Sequence, residues 1–248
     1  KKRNMNKNYL LLLCFLITSQ LIIGQEYYKY KSKIDTSFVS SYLGYEKKIS
    51  ITLPEDWQQN SKKKYPLILI FDRQNKRSHD QIIHTIDYLT ANDQMPLSII
   101  VSIESDRYKR TNEARSLLTD TNGKAHLTER YLFKELIPFA ESKLRASKFR
   151  VLIGHSWFGH FTTSMFSKNS NELNAVISLD PFFKQKNVSL TDSIEKLILS
   201  ELKYNKYYRY TIGKDYPEDF MSIKAIQNKN SNQRLDIDSK EFPNAFHN

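Results

Sequence analysis

Short apolar runs recur along this chain and alternate with segments that have helical spacing. A strand buried on both faces of a sheet needs such a run, because neither of its sides meets water. The alternation of runs with helices predicts an α/β fold, with a mostly parallel central sheet and helices on both faces, in a single domain over residues 25–248. The strand-like runs are Pro66–Phe71, Leu97–Ile103, Phe149–Ile153 and Leu173–Leu179.

The remaining elements follow from spacing and from turn residues. Lys47–Leu53 alternates in a strand-like way, and Tyr207–Ile212 reads as another strand. Asp106–Ala125 is mostly polar and is predicted to be a long loop. Helical spacing is found in Ser78–Ala91, Leu127–Leu144, Trp157–Lys168, Thr191–Tyr204 and near Glu218–Asn228.

The first 24 residues have the pattern of a secretory signal peptide. Lys1, Lys2, Arg3 and Lys7 precede a short apolar run, and Gly24 offers a small residue at its end. We therefore expect a secreted or periplasmic protein, with no stable membrane span after cleavage. The alternative is an uncleaved membrane anchor, which the short and interrupted run disfavours.

Composition excludes several classes of site. The single cysteine, Cys14, lies in the leader, so the mature chain is expected to have no disulfide, no thiolate nucleophile and no cysteine-bound metal. Residues 1–24 carry four positive and no negative charges, so the formal charge of +11 falls to +7 without them. No nucleic-acid motif, phosphate loop, dinucleotide fingerprint or metal-ligand spacing is present, so we expect no nucleic-acid partner, no metal and no cofactor. Oligomeric state cannot be predicted.

The segment Gly154-His155-Ser156-Trp157-Phe158-Gly159 carries the strongest chemical signal. It follows a predicted buried strand and precedes a predicted helix, which is the setting of a nucleophile elbow. In such a turn the serine hydroxyl is exposed, while the N–H groups of the new helix face a developing oxyanion. Ser156 is therefore the predicted nucleophile; the alternative is a plain glycine turn with an incidental serine.

A serine nucleophile needs a base and an acid that orients it, and in this fold class they follow it in the chain. Of the two downstream histidines, His160 falls four residues along the elbow helix, so His247 is the predicted base. Asp215 follows the strand Tyr207–Ile212 and is the predicted acid, with Glu218 as the alternative. Asp219 is a weaker rival, and Asp180 ends a strand that comes one position too early.

Four segments resemble the putative esterase (esterase D-like) family of the α/β-hydrolase superfamily. The resemblance implies a serine esterase that forms an acyl-enzyme, with Ser156 as nucleophile, His247 as base and an acid in the Gly213–Asp219 loop. It also implies oxyanion N–H groups at Arg73 and Trp157. The four segments are Tyr65–Asp72, Asp106–Arg110, Phe133–Phe139 and Ile153–Ser156.

Two positions depart from the family pattern, which has glycine where this chain has Phe158 and Arg73. Both belong to the expected oxyanion hole. The main expectation is hydrolysis of a small-molecule or carbohydrate-linked ester. The alternatives are a degenerate family member that only binds a ligand, and a carbohydrate-directed feruloyl or acetyl esterase. Family members also normally continue with a helix beyond the position of His247, so the chain is expected to be a truncated piece.

Overall fold

The structure, a computed structural model, describes residues 29–30, 32–106, 108–214 and 217–245. Eight strands of this part form one sheet in the order β1-β2-β4-β3-β5-β6-β9-β10. They are β1 Ser32–Ser40, β2 Tyr45–Leu53, β3 Tyr65–Phe71, β4 Ile99–Ile103, β5 Ala146–His155, β6 Ala175–Leu179, β9 Lys206–Gly213 and β10 Leu235–Phe242. A separate two-residue pair consists of β7 Lys184–Gln185 and β8 Val188–Ser189.

Helices connect the strands and cover the sheet. They are α1 Lys76–Ala91, α2 Arg110–Ala114, α3 Ala125–Arg130, α4 Ile137–Lys143, α5 Trp157–Lys168, α6 Leu190–Ile198 and α7 Pro217–Asn228, with a π-helical stretch Tyr131–Leu136 between α3 and α4. Among the described residues, no helix is long and apolar enough to cross a lipid bilayer.

The pairing confirms a mostly parallel sheet. β1 and β2 are antiparallel to their neighbours, whereas every pairing from β4 through β3, β5, β6 and β9 to β10 is parallel. Parallel strands place their carboxyl ends along one edge, and that edge is where open α/β sheets carry their sites.

The sheet has a core on each face, as the apolar runs predict. On the smaller side, Ile68, Ile70, Ile100 and Ile153 of three adjacent strands, β3, β4 and β5, pack together with Ile86 of α1. On the larger side, alternate residues of the same strands join α3, α5 and α6 in the main cluster. Because both faces of the central strands are buried, their sequences are apolar at consecutive positions.

Several details differ from the sequence predictions, and among them the predicted helix Thr191–Tyr204 is shorter, at Leu190–Ile198. β1 and β10 were missed because both are edge strands with mostly exposed or polar positions, so they carry no continuous apolar run. The predicted loop over 106–125 contains the short helix α2. The predicted single helix Leu127–Leu144 is interrupted by the π-helical stretch, which ends just before α4; Pro138 near the start of α4 lacks the N–H that a continuous α-helix would use.

Candidate active site

Three residues at the carboxyl edge of the sheet have left-handed backbone geometry. Asp72, Ser156 and Asp180 directly follow β3, β5 and β6, with φ of 65°, 58° and 46°. A non-glycine residue at positive φ is uncommon and costs about 1–3 kcal/mol, and such strain is found preferentially at functional sites. The three central parallel strands therefore end in strained turns at one edge.

Ser156 lies in the strand-to-helix turn that the sequence predicts. It is the N-cap of α5, with φ 58° and ψ −120°, and it is 7% exposed. Its N–H donates to the carbonyl of Leu179 at 2.9 Å, and its own carbonyl accepts from the N–H of His160 at 3.0 Å. The first bond joins the turn between β5 and α5 to the end of β6, and the second begins the helix, as a nucleophile elbow requires.

Both glycines of the elbow are needed for close packing. A Cβ on Gly154 would lie 2.3 Å from the carbonyl oxygen of Phe158, a distance that only a backbone shift would relieve. A Cβ on Gly159 would lie 3.1 Å from Cβ of Pro181, in the turn after β6. A side chain at position 154 is therefore excluded by the backbone of the elbow helix, whereas one at position 159 would require the turn after β6 to shift by a few tenths of an ångström.

The large residue two positions after the serine, Phe158, is accommodated in the core. Phe158 is fully buried and stacks on Phe71 of β3, with ring centroids 4.5 Å apart and an interplanar angle of 11°. Phe161 meets the same pair edge-on. The Phe158 side chain thus packs against β3 in the main core, and α5 still begins directly after the serine.

The two predicted oxyanion donors differ in their surroundings. Trp157 is the first residue of α5, where a helix leaves its N–H groups without an intrahelical acceptor. Arg73 N–H instead donates to the carbonyl of Ile103 at 3.1 Å, which ties the turn after β3 to the end of β4. Within the described chain, the next N–H, that of Gln74, has no acceptor at hydrogen-bond distance. Sequence reasoning missed Gln74, because only the turn geometry shows which N–H is engaged.

A cation and an aromatic ring flank the residue after the serine. The Arg115 guanidinium lies 3.9 Å from the centroid of the Trp157 ring, and the centroid of the Phe182 ring lies 4.8 Å from it. Phe183, the next residue along, is fully buried against Tyr210 and serves the core.

His160 has a structural role on the elbow helix. It is 3% exposed, and its Nδ1 lies 2.5 Å from the carbonyl oxygen of Phe182, so it joins α5 to the segment after β6. Burial lowers the pKa of its imidazole, which favours the neutral ring. This agrees with the choice of the other downstream histidine as base.

The predicted base and acids fall outside what the structure describes: His247 and Asp215 lie outside the described residues, as do the side chains of Glu218 and Asp219. Their described neighbours do meet at the carboxyl edge of β9. Lys214 N–H donates to the carbonyl of Ala245 at 2.9 Å. Lys214 directly precedes Asp215 in the chain, and Ala245 comes two positions before His247. Beside them, the Asp180 carboxylate accepts the N–H of Gly213 at 3.0 Å.

His79 and Ser102 form a serine–histidine contact away from the elbow, and burial excludes it from catalysis. His79 Nε2 lies 2.8 Å from Ser102 Oγ, and its Nδ1 lies 3.2 Å from Asp80 Oδ1. Ser102 is 1% exposed in the middle of the sheet and His79 is 7% exposed, so no substrate carbonyl can reach the hydroxyl. The contact fastens α1 to β4.

Solved structures with the same fold are numerous, although no curated protein sequence matches the chain. An IroE-like serine hydrolase from Shewanella oneidensis has a TM-score of 0.72 at 20% identity, over 87% of this chain and 75% of that one. The siderophore hydrolase EstA from Aspergillus nidulans has 0.66 at 16%, over 88% and 89%. The S-formylglutathione hydrolase FrmB from Staphylococcus aureus has 0.63 at 14%, over 86% and 90%. These similarities establish the α/β-hydrolase fold.

The family follows from the sequence itself. Residues 40–224 match the profile of the family described as Putative esterase, and this range runs from the end of β1 into α7. It contains the elbow, the turn after β3 and the segment over 106–125. The chain belongs to the putative esterase family and is a carboxylic ester hydrolase with an α/β-hydrolase fold.

Proposed function

We propose that this chain hydrolyses carboxylic esters through an acyl-enzyme formed on Ser156. The observation that carries the proposal is the elbow: a serine at φ 58°, directly after a central parallel strand and at the N-terminus of a helix. Ser156 Oγ attacks the ester carbonyl and its proton passes to the base. The C–O bond then breaks, the alcohol leaves with that proton, and water releases the acid in the reverse sequence.

His247 is the proposed base and Asp215 the proposed acid, with Glu218 as the alternative. The hydrogen bond between Lys214 N–H and the Ala245 carbonyl supports this assignment, because it joins the two chain segments from which these side chains come. Two residues span at most about 7 Å, so the proposal requires the base to act within that distance of Ala245.

The oxyanion is proposed to bind at the Trp157 N–H and at the turn that follows Asp72. In that turn the Arg73 N–H must exchange its bond to the Ile103 carbonyl to take part, whereas the Gln74 N–H needs no exchange. In either case the donor is a backbone N–H, as it is where the family has glycine, so the oxyanion is stabilised by the same kind of hydrogen bond.

The proposed substrate is a small-molecule or carbohydrate-linked ester, acted on outside the cytoplasm. Structural neighbours are named as a siderophore hydrolase and an S-formylglutathione hydrolase, so proteins with this fold are named for unlike substrates. The basic, apolar leader over residues 1–24 supports secretion or a periplasmic location.

The test uses purified wild-type protein, Ser156→Ala and Ser102→Ala with a short-chain chromogenic ester and a fluorophosphonate probe. We expect wild type and Ser102→Ala to turn over and to be labelled at Ser156. Ser156→Ala should lose turnover by on the order of 10⁶-fold and should lose the label. The proposal fails if wild type is neither active nor labelled.

The second candidate is a ligand-binding protein without turnover, and the engaged Arg73 N–H is the observation that favours it. In that case wild type and Ser156→Ala would be equally inactive, yet both would bind the ester in calorimetry. Activity on feruloyl or acetyl sugars, but not on simple esters, would instead identify a carbohydrate-directed esterase.

A further inference from the structure

One segment of the chain contacts both turns of the proposed oxyanion hole. We call residues 108–124 the clamp segment; it leaves the sheet after β4 and includes the short helix α2. Arg110 begins α2 and Arg115 is its C-cap, so the two arginines lie at opposite ends of the helix. A five-residue helix has no stability of its own, and tertiary contacts must fix its position.

A buried ion pair provides that anchor. Glu113 of α2 is 1% exposed, and its carboxylate lies 2.8 Å from Lys47 Nζ of β2, itself 3% exposed. Ser105 Oγ donates to the same carboxylate at 2.7 Å, and Tyr45 OH donates to its other oxygen at 2.6 Å. Charge-assisted bonds in a dry environment have strict geometry, so they place the helix in one position relative to the sheet.

Arg110 reaches the first turn from this anchored helix. Its Nε lies 2.7 Å and 2.8 Å from the two Asp72 carboxylate oxygens, and its Nη2 lies 2.5 Å from Oδ2. Asp72 is 1% exposed with φ 65°, and Gln74 Nε2 donates to the same carboxylate at 2.9 Å. The guanidinium therefore holds the side chain of a residue whose backbone is strained.

Arg115 reaches the second turn. Its guanidinium lies over the Trp157 ring, 3.9 Å from the centroid, and it is paired with Asp120 Oδ2 at 3.1 Å. Trp157 supplies the proposed oxyanion N–H directly after the nucleophile. A cation held over the face of an aromatic ring restricts that side chain and, through it, the first turn of α5.

We propose that Arg110 and Arg115 are positioning residues, which set the two halves of the oxyanion hole relative to one another through the anchored clamp segment. The inference rests on the proposed esterase function. A planar guanidinium is needed in both places, because only its fork binds a carboxylate bidentately and only its flat face stacks on indole. Lysine keeps the charge and loses both contacts.

The test compares kcat and KM of wild type, Arg110→Lys and Arg115→Lys on a short-chain chromogenic ester. The matched control is Arg145→Lys, since Arg145 stacks on Trp57 at 4.4 Å at the opposite end of β5. We expect kcat to fall about 10-fold in each clamp variant while KM changes less than about 2-fold, because misplaced donors weaken transition-state binding alone. The control should keep the wild-type kcat.

A measurement independent of turnover accompanies the kinetics. In amide hydrogen exchange on the intact protein, Arg110→Lys should speed exchange at residues 72–75, and Arg115→Lys should speed it at 157–160, with melting temperatures near wild type. Guanidinium ion added to Arg110→Ala should restore part of kcat. If the wild type is active and both clamp variants keep its kcat and its exchange rates, the proposal fails alone; an inactive wild type removes the esterase function and the proposal with it.

Discussion

The backbone N–H of Lys214 donates a hydrogen bond to the carbonyl of Ala245 at 2.9 Å. The bond extends the parallel pairing of β9 and β10, which runs up to Gly213 and Phe242, into the segments that follow the two strands. The proposed acid and base come directly after these two hydrogen-bonded segments in the chain.

Asparagine at the acid position should reveal which carboxylate orients the base. Asp215→Asn is expected to lower kcat on the order of 10⁴-fold with little change in KM, because the amide stabilises the wrong imidazole tautomer. Asp180→Asn is the matched control, since an amide oxygen can still accept the Gly213 N–H. A comparable loss in Glu218→Gln, with Asp215→Asn near wild type, would transfer the role to Glu218.

Introducing the family's glycine at position 158, two residues after the serine, should destabilise this chain. Phe158 is fully buried and stacked on Phe71, so Phe158→Gly leaves a cavity in the core and is expected to lower the free energy of unfolding by about 3–5 kcal/mol. Urea titration measures the change. Phe149→Ala, at a position that is 42% exposed, should change it much less. Equal effects at the two sites would contradict the packing described for Phe158.

The buried pair Lys47–Glu113 should show the signature of an ion pair removed from water. Glu113→Gln is expected to lower the free energy of unfolding by about 3–5 kcal/mol, because it leaves an uncompensated buried ammonium. Asp236→Asn is the control: its 2.7 Å ion pair with Arg209 is exposed to solvent and should contribute about 0–1 kcal/mol. A double-mutant cycle with Lys47→Met measures the coupling, and a value near zero would remove the anchor from the clamp segment.

Stability should fall in mild acid because of two buried histidines. Burial lowers the pKa of both His79 and His160 below the ordinary value of 6.5. Below about pH 6.5 the unfolded chain therefore takes up protons that the folded chain does not, and the free energy of unfolding decreases as pH falls from there towards the folded-state pKa values.

Urea midpoints measured between pH 8 and pH 5 test this slope. His160→Asn should flatten it in part, and the double substitution with His79→Asn should flatten it further. His84→Asn, at an exposed position, should leave the slope as in wild type. An unchanged slope in the double variant would mean that other groups govern the acid sensitivity.

Local sequence patterns were sufficient for much of the fold. Apolar runs predict the central strands because those strands are buried on both faces, and the bounds of the elbow helix Trp157–Lys168 are confirmed as predicted. The edge strands β1 and β10 were missed, because an edge strand is defined by its partner and not by its own composition.

Ser156 could be chosen from sequence because a nucleophile elbow is a local motif: strand, strained serine and helix are contiguous. The contacts around Ser156 could not be predicted from a local motif. Arg110 meets Asp72 across 38 positions, and Glu113 meets Lys47 across 66. The sequence by itself determined the parallel sheet and the elbow that carries the proposed nucleophile, because periodicity and turn chemistry act between neighbours. The tertiary structure decided which N–H groups and which arginines surround that serine, because those pairings arise only when distant strand ends meet at one edge.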